Sequence, residues 1–325
     1  MEKHLNKCLD SLIVKDMNLM EVLVINDGSK DKSSEIAHEY VRKYPGTFRV
    51  IDKENGNYGS CINRGLIEAK GEYIKVLDAD DWFNSIGLNI FINKLLVSDA
   101  DLVLTDYTSV YEYKKKTHHS YPFREGILYT KEIMNELAFK NMQMHTVAYR
   151  KAIFTTLNYQ QTEGISYTDQ EWIFYPMQGV KSIIYFNIDL YQYLIGRAGQ
   201  TMSPDSMRRY VSHQILIAEK MLDSKHYKFN DKDLCNYLDY RISEICKSVY
   251  RIVLLFSRNK GENENLMILD SKIKMNNANV YKNLNQEIIH KYLPFKYISI
   301  FRKKGKVNDT ILYLYRCLKR FKRHL

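Results

Sequence analysis

The feature that most constrains the fold is an alternation of strand-like apolar runs with helix-like amphipathic stretches over about residues 1–205. The segments are, in order, EVLVIND, DKSSEIAHEYVRKY, FRVIDKEN, GSCINRGLIEAK, EYIKVLDADD, GLNIFINKLLVS and ADLVLTDYTSVYEYK. Strands that alternate with helical segments are typical of an α/β sheet with helical crossovers. The sequence therefore predicts an α/β fold for this region.

A second region begins near residue 205, where the pattern becomes helical. The segment SPDSMRRYVSHQILIAEKMLDS has one apolar stripe at helical spacing and a Ser or Asp that can cap its start. We therefore predict two domains, residues 1–205 and 206–325, the second of them α-helical. The segment rich in Asn and Lys from 258 to 285 is predicted to be a linker or a loosely packed turn.

Composition limits the class of protein and its compartment. The chain has 325 residues, of which 45% are hydrophobic and 26% charged, so it can bury a large core. Five scattered cysteines without a CxxC pair indicate reduced thiols instead of disulfides or a zinc site. The N-terminus has no signal-peptide core, and no apolar run approaches the roughly 20 residues that a membrane span needs. We expect a cytoplasmic protein.

The net charge of +10 is concentrated at the C-terminal end. Residues 301–325 contain nine Lys or Arg and one acid, which accounts for +8 of the +10. The rest of the chain is close to neutral, and no recognition motif accompanies the basic end, so we expect no nucleic-acid partner.

The C-terminal segment DTILYLYRCLKRFKRHL is predicted to form an amphipathic basic helix. Its apolar residues line one helical face, and its basic residues lie largely off that face. A helix of this kind can bind an anionic membrane surface, here the inner face of the plasma membrane. The alternative is a helix packed on the protein with a solvated basic face.

Three carboxylates occupy four positions after the predicted strand YIKVL. These are Asp78, Asp80 and Asp81. Acids at the carboxyl end of a strand in an open α/β sheet lie where such folds bind ligands. A hard cation such as Mg²⁺ or Mn²⁺ is commonly held by one or two carboxylates together with substrate phosphates. With Asp80 facing the metal and Asp78 one alternation away on the same side, we predict a metal site; a solvated turn or a helix cap is the alternative.

Two polar turns point to a ligand at the same edge. VLVINDGSKD places Asn26 and Asp27 at a strand end, where a carboxylate can accept hydrogen bonds from a base or ribose, or form an Asx turn. ENGNYGSCINRG is a glycine-spaced loop that opens a helix and carries Asn57, Asn63 and Arg64. Glycine-rich loops at helix starts can approach phosphates or sugars closely.

These motifs, in this order and spacing, resemble the family 2 glycosyltransferases, which have the GT-A fold. The matching segments are VLVINDGSKDKS, ENGNYGSCINRGLIEAKGEYIKVLDADDW and GISYTDQEW. The resemblance covers about residues 5–205 and implies a Rossmann-like nucleotide-diphospho-sugar transferase of the bacterial cell-surface polysaccharide type. It implies a nucleotide-sugar donor, expected to be a UDP-sugar, a glycan or lipid-linked acceptor, and Mn²⁺ or Mg²⁺ as cofactor.

The same resemblance implies roles for individual residues. Asp27 would contact the uracil or ribose, Asp80 of the DxD motif would bind the metal, and Asp78 would contact the ribose or support the metal. In YTDQEW, Asp169 matches the catalytic base of an inverting direct displacement, and Glu171 is a nearby alternative in the acceptor or sugar pocket. A helix cap is a second interpretation of Asp169, compatible with the first.

Other positions are less specific. We predict that Asn57 and Asn63 contact the nucleotide. YQYLIGRAGQTMSPDS resembles a loop that closes over the donor, in which Arg197 and Gln200 would bind the nucleotide; an ordinary surface loop is the alternative.

Two positions resemble the acceptor side of the family's site. They are His145 and Tyr149 in NMQMHTVAYRKAIF. A histidine beside apolar residues is otherwise more often a core residue whose hydrogen bonds are satisfied.

The sequence departs from the family at its beginning. Family members start with a strand like SVIIPVYN inside the sheet, whereas this sequence opens at MEKHLNKCLDSL, the helix that follows. We therefore expect Val22 and Val24 to lack a ladder partner on one side. A start codon assigned too far downstream or a truncated gene would explain the difference. The alternative function is a catalytically silent GT-A-fold partner of an active transferase, and the sequence leaves the oligomeric state open.

Overall fold

The computed structural model describes residues 1–111, 115–196, 204–223, 230–257 and 260–321. It contains two compact units, Met1–Gln200 and Thr201–Leu325. This division lies close to the predicted domain boundary at residue 205, which stays a prediction.

The first unit alternates strands with helices. Its strands are β1 (Val22–Asp27), β2 (Phe48–Lys53), β3 (Tyr73–Ile74), β4 (Trp82–Phe83), β5 (Leu102–Tyr111), β6 (Lys116–His119), β7 (Leu128–Tyr129), β8 (Val147–Arg150) and β9 (Ile183–Ile195). Its helices are α1 (Glu2–Asp10), α2 (Ser33–Lys43), α3 (Asn57–Glu68), α4 (Ser85–Leu95), α5 (Leu137–Lys140), α6 (Ala152–Leu157) and α7 (Asp169–Trp172). The predicted α/β fold is confirmed.

The strands form one mixed sheet and one separate parallel pair. In the mixed sheet the order is β3-β8-β5-β9-β4, with β6 paired to β5 and β7 paired to β9. Within this sheet β5 and β9 run parallel, and the other pairs are antiparallel. The separate pair is β1 with β2.

One edge of β1 is open among the residues that the structure describes. Its register with β2 runs from Val22↔Phe48 to Asp27↔Lys53, and all six of its residues are only half-buried. The sequence predicts this missing partner for Val22 and Val24. An apolar strand that is half-buried throughout is unusual, because inner strands of α/β sheets are normally covered on both faces.

The predicted strand YIKVL is much shorter than expected. β3 ends at Ile74, and the chain from 75 to 78 is outside any strand. Just after β3, the side-chain nitrogen of Lys75 donates hydrogen bonds to the carbonyl oxygens of His145 (3.0 Å) and Val147 (3.4 Å). The prediction that Asp78 and Asp80 alternate along a strand is therefore wrong.

The acidic residues lie instead in a turn that packs against α1. The turn is closed by a hydrogen bond from the Asp81 amide to the Asp78 carbonyl oxygen (3.0 Å). Cys8 of α1 donates a weak thiol hydrogen bond to the same carbonyl oxygen (3.8 Å), and Ser11 Oγ accepts from the amide of Phe83 (3.0 Å). We call residues 78–81 the acidic turn.

A hydrophobic core behind the acidic turn joins the helices to the sheet. It combines α1, α2 and α4 with β2 and β9. Its buried members include Leu5, Leu9, Tyr40, Phe48, Leu88, Phe91 and Leu190. Ala79 of the acidic turn packs against this core, which therefore supports the turn.

The second unit is helical, as the sequence predicts. Its helices are α8 (Pro204–Arg209), α9 (Val211–Met221), α10 (Lys232–Phe256), α11 (Lys260–Asn276), α12 (Ala278–Leu284), α13 (Tyr297–Lys304) and α14 (Asp309–Phe321). The prediction of a linker from 258 to 285 is wrong, because α11 and α12 occupy most of it. Leu266, Leu269 and Ile273 recur at helical spacing and are fully buried, which the many Asn and Lys residues conceal.

The apolar stripe of α14 is partly packed on its own unit. Tyr315 is buried, and its ring centroid lies 6.1 Å from that of Phe256, whereas Tyr313 and Leu314 are exposed. Among the described residues, no helix combines the length and apolar character needed to cross a membrane. The five cysteines are free thiols.

Candidate active site

The polar turn after β1 holds Asp27 in a fixed position. Its Oδ1 accepts hydrogen bonds from Lys53 Nζ (2.6 Å) and from the amide of Gly56 (2.9 Å). Next to it, Asn26 Oδ1 accepts from the amide of Ser29 (3.1 Å), which is the Asx turn that the sequence allows. Asp27 is therefore a preorganised carboxylate at the carboxyl end of a parallel strand, where α/β folds bind ligands.

Tyr58, in the first turn of α3, links this region to the carboxylates. Its hydroxyl donates a hydrogen bond to Met144 Sδ (3.1 Å). Burial, together with the charges of Asp78 and Asp169, raises the pKa of the Tyr58 phenol well above its usual value. A phenol responds to two carboxylates only where both lie near it. The fold thus places both Asp78 and Asp169 near the half-buried side chain of Tyr58.

Asp81 is more deeply buried than the other two carboxylates of the acidic turn. Asp81 is 1% exposed, and its two oxygens accept hydrogen bonds from Tyr191 Oη (2.7 Å) and from the amide of Leu194 (2.7 Å). Burial, with the nearby charges of Asp78 and Asp80, raises the pKa of Asp81 to about 8. Asp81 therefore faces the protein interior, and Asp78 and Asp80 are the members of the turn that can face a ligand.

The charges of Asp169 and of the acidic turn also affect a second tyrosine, Tyr193. Burial, with the charges of Asp81, Asp78, Asp169 and Asp80, raises the pKa of Tyr193 to about 12, so the Tyr193 hydroxyl is also near this group of acids. Asp169 is the first residue of α7, whose N-cap is Thr168. The interpretation of Asp169 as the helix cap is therefore wrong.

The backbone just before Asp169 is strained. Tyr167 has a φ of 68°, in the left-handed region that bulky side chains rarely adopt. Strained backbone of this kind persists only where surrounding contacts hold it and is common at functional sites.

Two predicted site residues, Asn63 on α3 and Glu171 on α7, instead hydrogen-bond the chain segment before Asp169. Glu171 is 1% exposed, and its two oxygens accept from the amide and the hydroxyl of Thr162 (both 2.7 Å). Asn63 donates to the Gln161 carbonyl oxygen (2.9 Å) and Glu163 Oε1 (2.8 Å) and accepts from the Gln161 amide (2.8 Å). The predictions of a nucleotide contact for Asn63 and a pocket role for Glu171 are corrected accordingly, because these contacts occupy both buried side chains.

The glycine spacing of ENGNYGSC serves this packing. A Cβ at Gly59 would fall well inside van der Waals contact with the backbone of Thr162, and the amide of Gly164 donates to the Gly56 carbonyl oxygen (2.9 Å). Gly59 therefore permits residues 161–164 to lie directly on the first turn of α3. The glycine-spaced loop thus approaches protein backbone closely, instead of the phosphate or sugar that the sequence predicts.

The remaining predicted positions fall into three groups. Asn57 is exposed at the start of α3, with a φ of 64°, and Arg64 forms an ion pair with Glu68 (2.7 Å). Tyr149 is fully buried and donates to the Trp172 carbonyl oxygen (3.1 Å), so its predicted acceptor-side position is wrong. Arg197 and Gln200 lie outside the described residues.

His145 is enclosed by tyrosine rings. Its ring centroid lies 4.8 Å from that of Tyr191 and 5.1 Å from that of Tyr193, both stacked, and 4.4 Å from the edge-on ring of Tyr107. Burial, with the nearby charge of Lys75, lowers the pKa of His145 to about 3. Its Nε2 is buried without a hydrogen-bond partner among the described residues, so His145 is a neutral core histidine but not a satisfied one.

Sequence reasoning missed the tyrosines that surround these acids. Tyr58 lies within the glycine-spaced loop, and Tyr191 and Tyr193 are two positions apart on β9. Side chains two residues apart on a strand lie on the same face, so both tyrosines share one face of β9. The alternation in the sequence YQYLI indicates this arrangement.

Comparison with known proteins relates this geometry to a family. Residues 2–155 match the family model described as glycosyl transferase family 2. The chain is 35% identical over 119 residues to the putative glycosyltransferase EpsH of Bacillus subtilis, an alignment that covers 37% of this chain and 34% of EpsH. It is 31% identical over 197 residues to an uncharacterized glycosyltransferase of Mycoplasma pneumoniae, the MG060 homolog, covering 59% of this chain and 64% of that protein. The chain thus spans less than two-thirds of the length of these two relatives.

The fold also matches a solved structure. The crystal structure of Staphylococcus aureus TarS 1–349 in complex with UDP-GlcNAc aligns with a TM-score of 0.69 and 18% identity, covering 99% of this chain and 88% of that chain. At this level of identity the likeness concerns the fold alone. Together with the family match, it confirms the predicted GT-A fold with a helical C-terminal region.

The close contact between Gly59 and the backbone of Thr162 predicts that a methyl group added at position 59 destabilises the fold. Gly59→Ala should lower the free energy of unfolding by about 1–3 kcal/mol, because the backbone of Thr162 must move away from α3. Gly65→Ala in the same helix is the matched control. The nearest atom to its added Cβ, Ile25 Cγ1, would be 3.9 Å away, and helix propensity favours Ala by up to about 1 kcal/mol. Urea unfolding of both variants measures the difference, and equal stability would contradict the proposed packing role.

Proposed function

We propose that this protein transfers a sugar from a nucleotide-diphosphate donor to a hydroxyl group of an acceptor. The match of residues 2–155 to the glycosyl transferase family 2 model supports the proposal. The donor is proposed to be a UDP-sugar, and the acceptor a cell-surface glycan or a lipid-linked sugar. The observation that carries the proposal is that Asp78 and Asp169 both lie near the half-buried side chain of Tyr58. The reaction needs one carboxylate for the donor and one for the acceptor.

The donor is proposed to lie between the turn after β1 and the acidic turn. Asp27 would accept hydrogen bonds from the uracil or ribose, since Lys53 and the Gly56 amide hold its carboxylate in place. Asn57, exposed at the start of α3, is a further candidate contact. Asp78 would contact the ribose or support the metal.

The donor set of the acidic turn fits a hard divalent cation. Carboxylate oxygens are the ligands that Mn²⁺ and Mg²⁺ prefer, and sites of this type take the rest of their ligands from water and substrate phosphates. Within the described part of the chain no group of three or more His, Cys, Asp or Glu is arranged to hold a metal ion. We therefore propose that Asp80, with Asp78 nearby, holds the cation only together with the donor diphosphate. When bound, the cation would neutralise charge on the departing nucleotide.

Asp169 is the proposed catalytic base. It would take the proton of the acceptor hydroxyl while that oxygen forms a bond to the anomeric carbon and the bond from this carbon to the diphosphate breaks. One displacement of this kind inverts the anomeric configuration and leaves no sugar attached to the enzyme. Glu171 is a poorer candidate, because both of its oxygens already accept hydrogen bonds from Thr162.

Titration with UDP tests the proposed donor site. UDP is the probe because the TarS structure holds UDP-GlcNAc. We expect UDP to bind the full chain more tightly with Mn²⁺ than without it, and Asp80→Asn to remove most of the Mn²⁺-dependent gain. Asp99→Asn, which changes an exposed carboxylate elsewhere in the first unit, is the matched control. Calorimetry makes the measurement, and equal effects of the two substitutions would contradict the assignment of Asp80.

Turnover tests the proposed base. Asp169→Asn should retain UDP binding but lose about 10²- to 10⁴-fold in kcat, the usual contribution of a general base. The measurement is release of UDP from a panel of UDP-sugars with glycan and lipid-linked acceptors. A parent chain that binds UDP but turns over no donor would favour the alternative function, a catalytically silent partner of an active transferase. The open edge of β1 is the observation behind that alternative.

The location of the protein is part of the proposal. We propose that it acts in the cytoplasm and that α14 attaches it peripherally to the inner face of the plasma membrane. The exposed Tyr313 and Leu314 support membrane contact, whereas the burial of Tyr315 supports packing within the second unit.

Vesicle binding distinguishes the two interpretations of the tail. Deletion of residues 306–325 should abolish co-sedimentation with vesicles containing anionic lipid, because the segment supplies both the exposed apolar residues and much of the basic charge. Vesicles of neutral lipid and the unshortened chain are the controls. Retention that does not change after the deletion would contradict a membrane role for the tail.

A further inference from the structure

We infer that Tyr191 is a positioning residue, whose phenol holds the acidic turn in the conformation that presents Asp78 and Asp80 to the donor site. The effect on a metal and nucleotide rests on the proposed function. The effect on the turn itself does not, because it follows from contacts within the protein.

The Tyr191 hydroxyl bridges the two ends of the turn. It donates to Asp81 Oδ2 (2.7 Å) and accepts from the amide of Asp78 (3.2 Å). Together with the hydrogen bond from the Asp81 amide to the Asp78 carbonyl oxygen (3.0 Å), this closes a ring through the turn. Asp80 lies inside that ring, so its backbone has little freedom.

The ring of Tyr191 is itself held on two sides. The side chain is fully buried and stacks on His145, with centroids 4.8 Å apart and planes at 28°. The ring of Phe83 meets it at 69°, with centroids 5.8 Å apart. This packing fixes the position of the hydroxyl, as a positioning role requires.

A second contact from the same strand completes the attachment. The amide of Leu194 donates to Asp81 Oδ1 (2.7 Å), so β9 binds both oxygens of this carboxyl group. Loss of the Tyr191 hydroxyl would leave the Asp78 amide and Asp81 Oδ2 without this partner in a buried region. Unpaired buried polar groups are costly, so the turn is expected to rearrange or to exchange between conformations.

A matched control separates positioning from general stability. Tyr185 lies on the same strand, is 2% exposed, and donates to Asp106 Oδ1 (2.7 Å). Tyr185→Phe therefore removes a phenol–carboxylate hydrogen bond of the same length and similar burial, at a carboxylate outside the acidic turn. Tyr191→Phe and Tyr185→Phe should cost similar global stability and differ only in the turn.

The first measurement is hydrogen exchange of backbone amides in the full chain without metal or nucleotide. In Tyr191→Phe we expect the Asp78 amide to exchange at least about tenfold faster, the loss of protection expected when its hydrogen-bond acceptor is removed. In Tyr185→Phe it should stay unchanged. The amide of Leu104, in the fully buried part of β5, reports any change in global stability for both variants. Equal protection of the Asp78 amide in the parent and Tyr191→Phe would overturn the inference.

The second measurement is UDP affinity with Mn²⁺. Tyr191→Phe should weaken the Mn²⁺-dependent part of UDP binding by about tenfold, and Tyr185→Phe should leave it within about twofold. Equal weakening by both variants, or none in Tyr191→Phe, would overturn the link to the donor site. A parent chain without Mn²⁺-dependent UDP binding would contradict the proposed function instead, and the exchange experiment would then decide the positioning role on its own.

Discussion

The parallel pairing of β5 with β9 is the constraint on which the candidate site depends. The ladder runs from Leu102↔Ile183 to Tyr111↔Ile195, with a register shift at Asp106. Parallel neighbours need a long crossover, and here the intervening chain carries His145 and Asp169. When the ladder closes, it brings that chain back to the sheet and places the tyrosines of β9 against the acidic turn. Residues that are distant in sequence become one site through a single strand pairing.

The sequence could predict the parts of this arrangement that depend on local pattern. Alternating apolar runs indicated the α/β fold, and acids after strand-like segments indicated Asp27 and the acidic turn. The contacts of Tyr58 and Tyr191 join positions far apart in the chain, so no local period encodes them. Local pattern also failed at residues 75–78, because a strand persists only where neighbours complete its ladder. In the second unit, polar composition concealed the buried stripe of α11.

Several side chains chosen as ligand contacts turned out to support the scaffold. Asn63 and Glu171 are polar residues in site-like motifs, yet their hydrogen bonds hold residues 161–163, Asn63 from α3 and Glu171 from α7. Buried polar groups must find partners, and around a cleft those partners are often the loops that shape it. The positive φ of Tyr167 belongs to the same arrangement, since a strained turn needs well-anchored neighbours. Residue type and motif position cannot separate a ligand contact from its support, whereas burial and hydrogen-bond partners can.

The burial of Asp81 affects the net charge of the acidic turn. The sequence suggests a trianion, but a carboxyl group with a pKa near 8 is mostly protonated at neutral pH. Protonation of Asp81 removes one negative charge from the turn. An anionic group that approaches the turn would therefore meet less electrostatic repulsion than three ionised acids in the sequence would suggest.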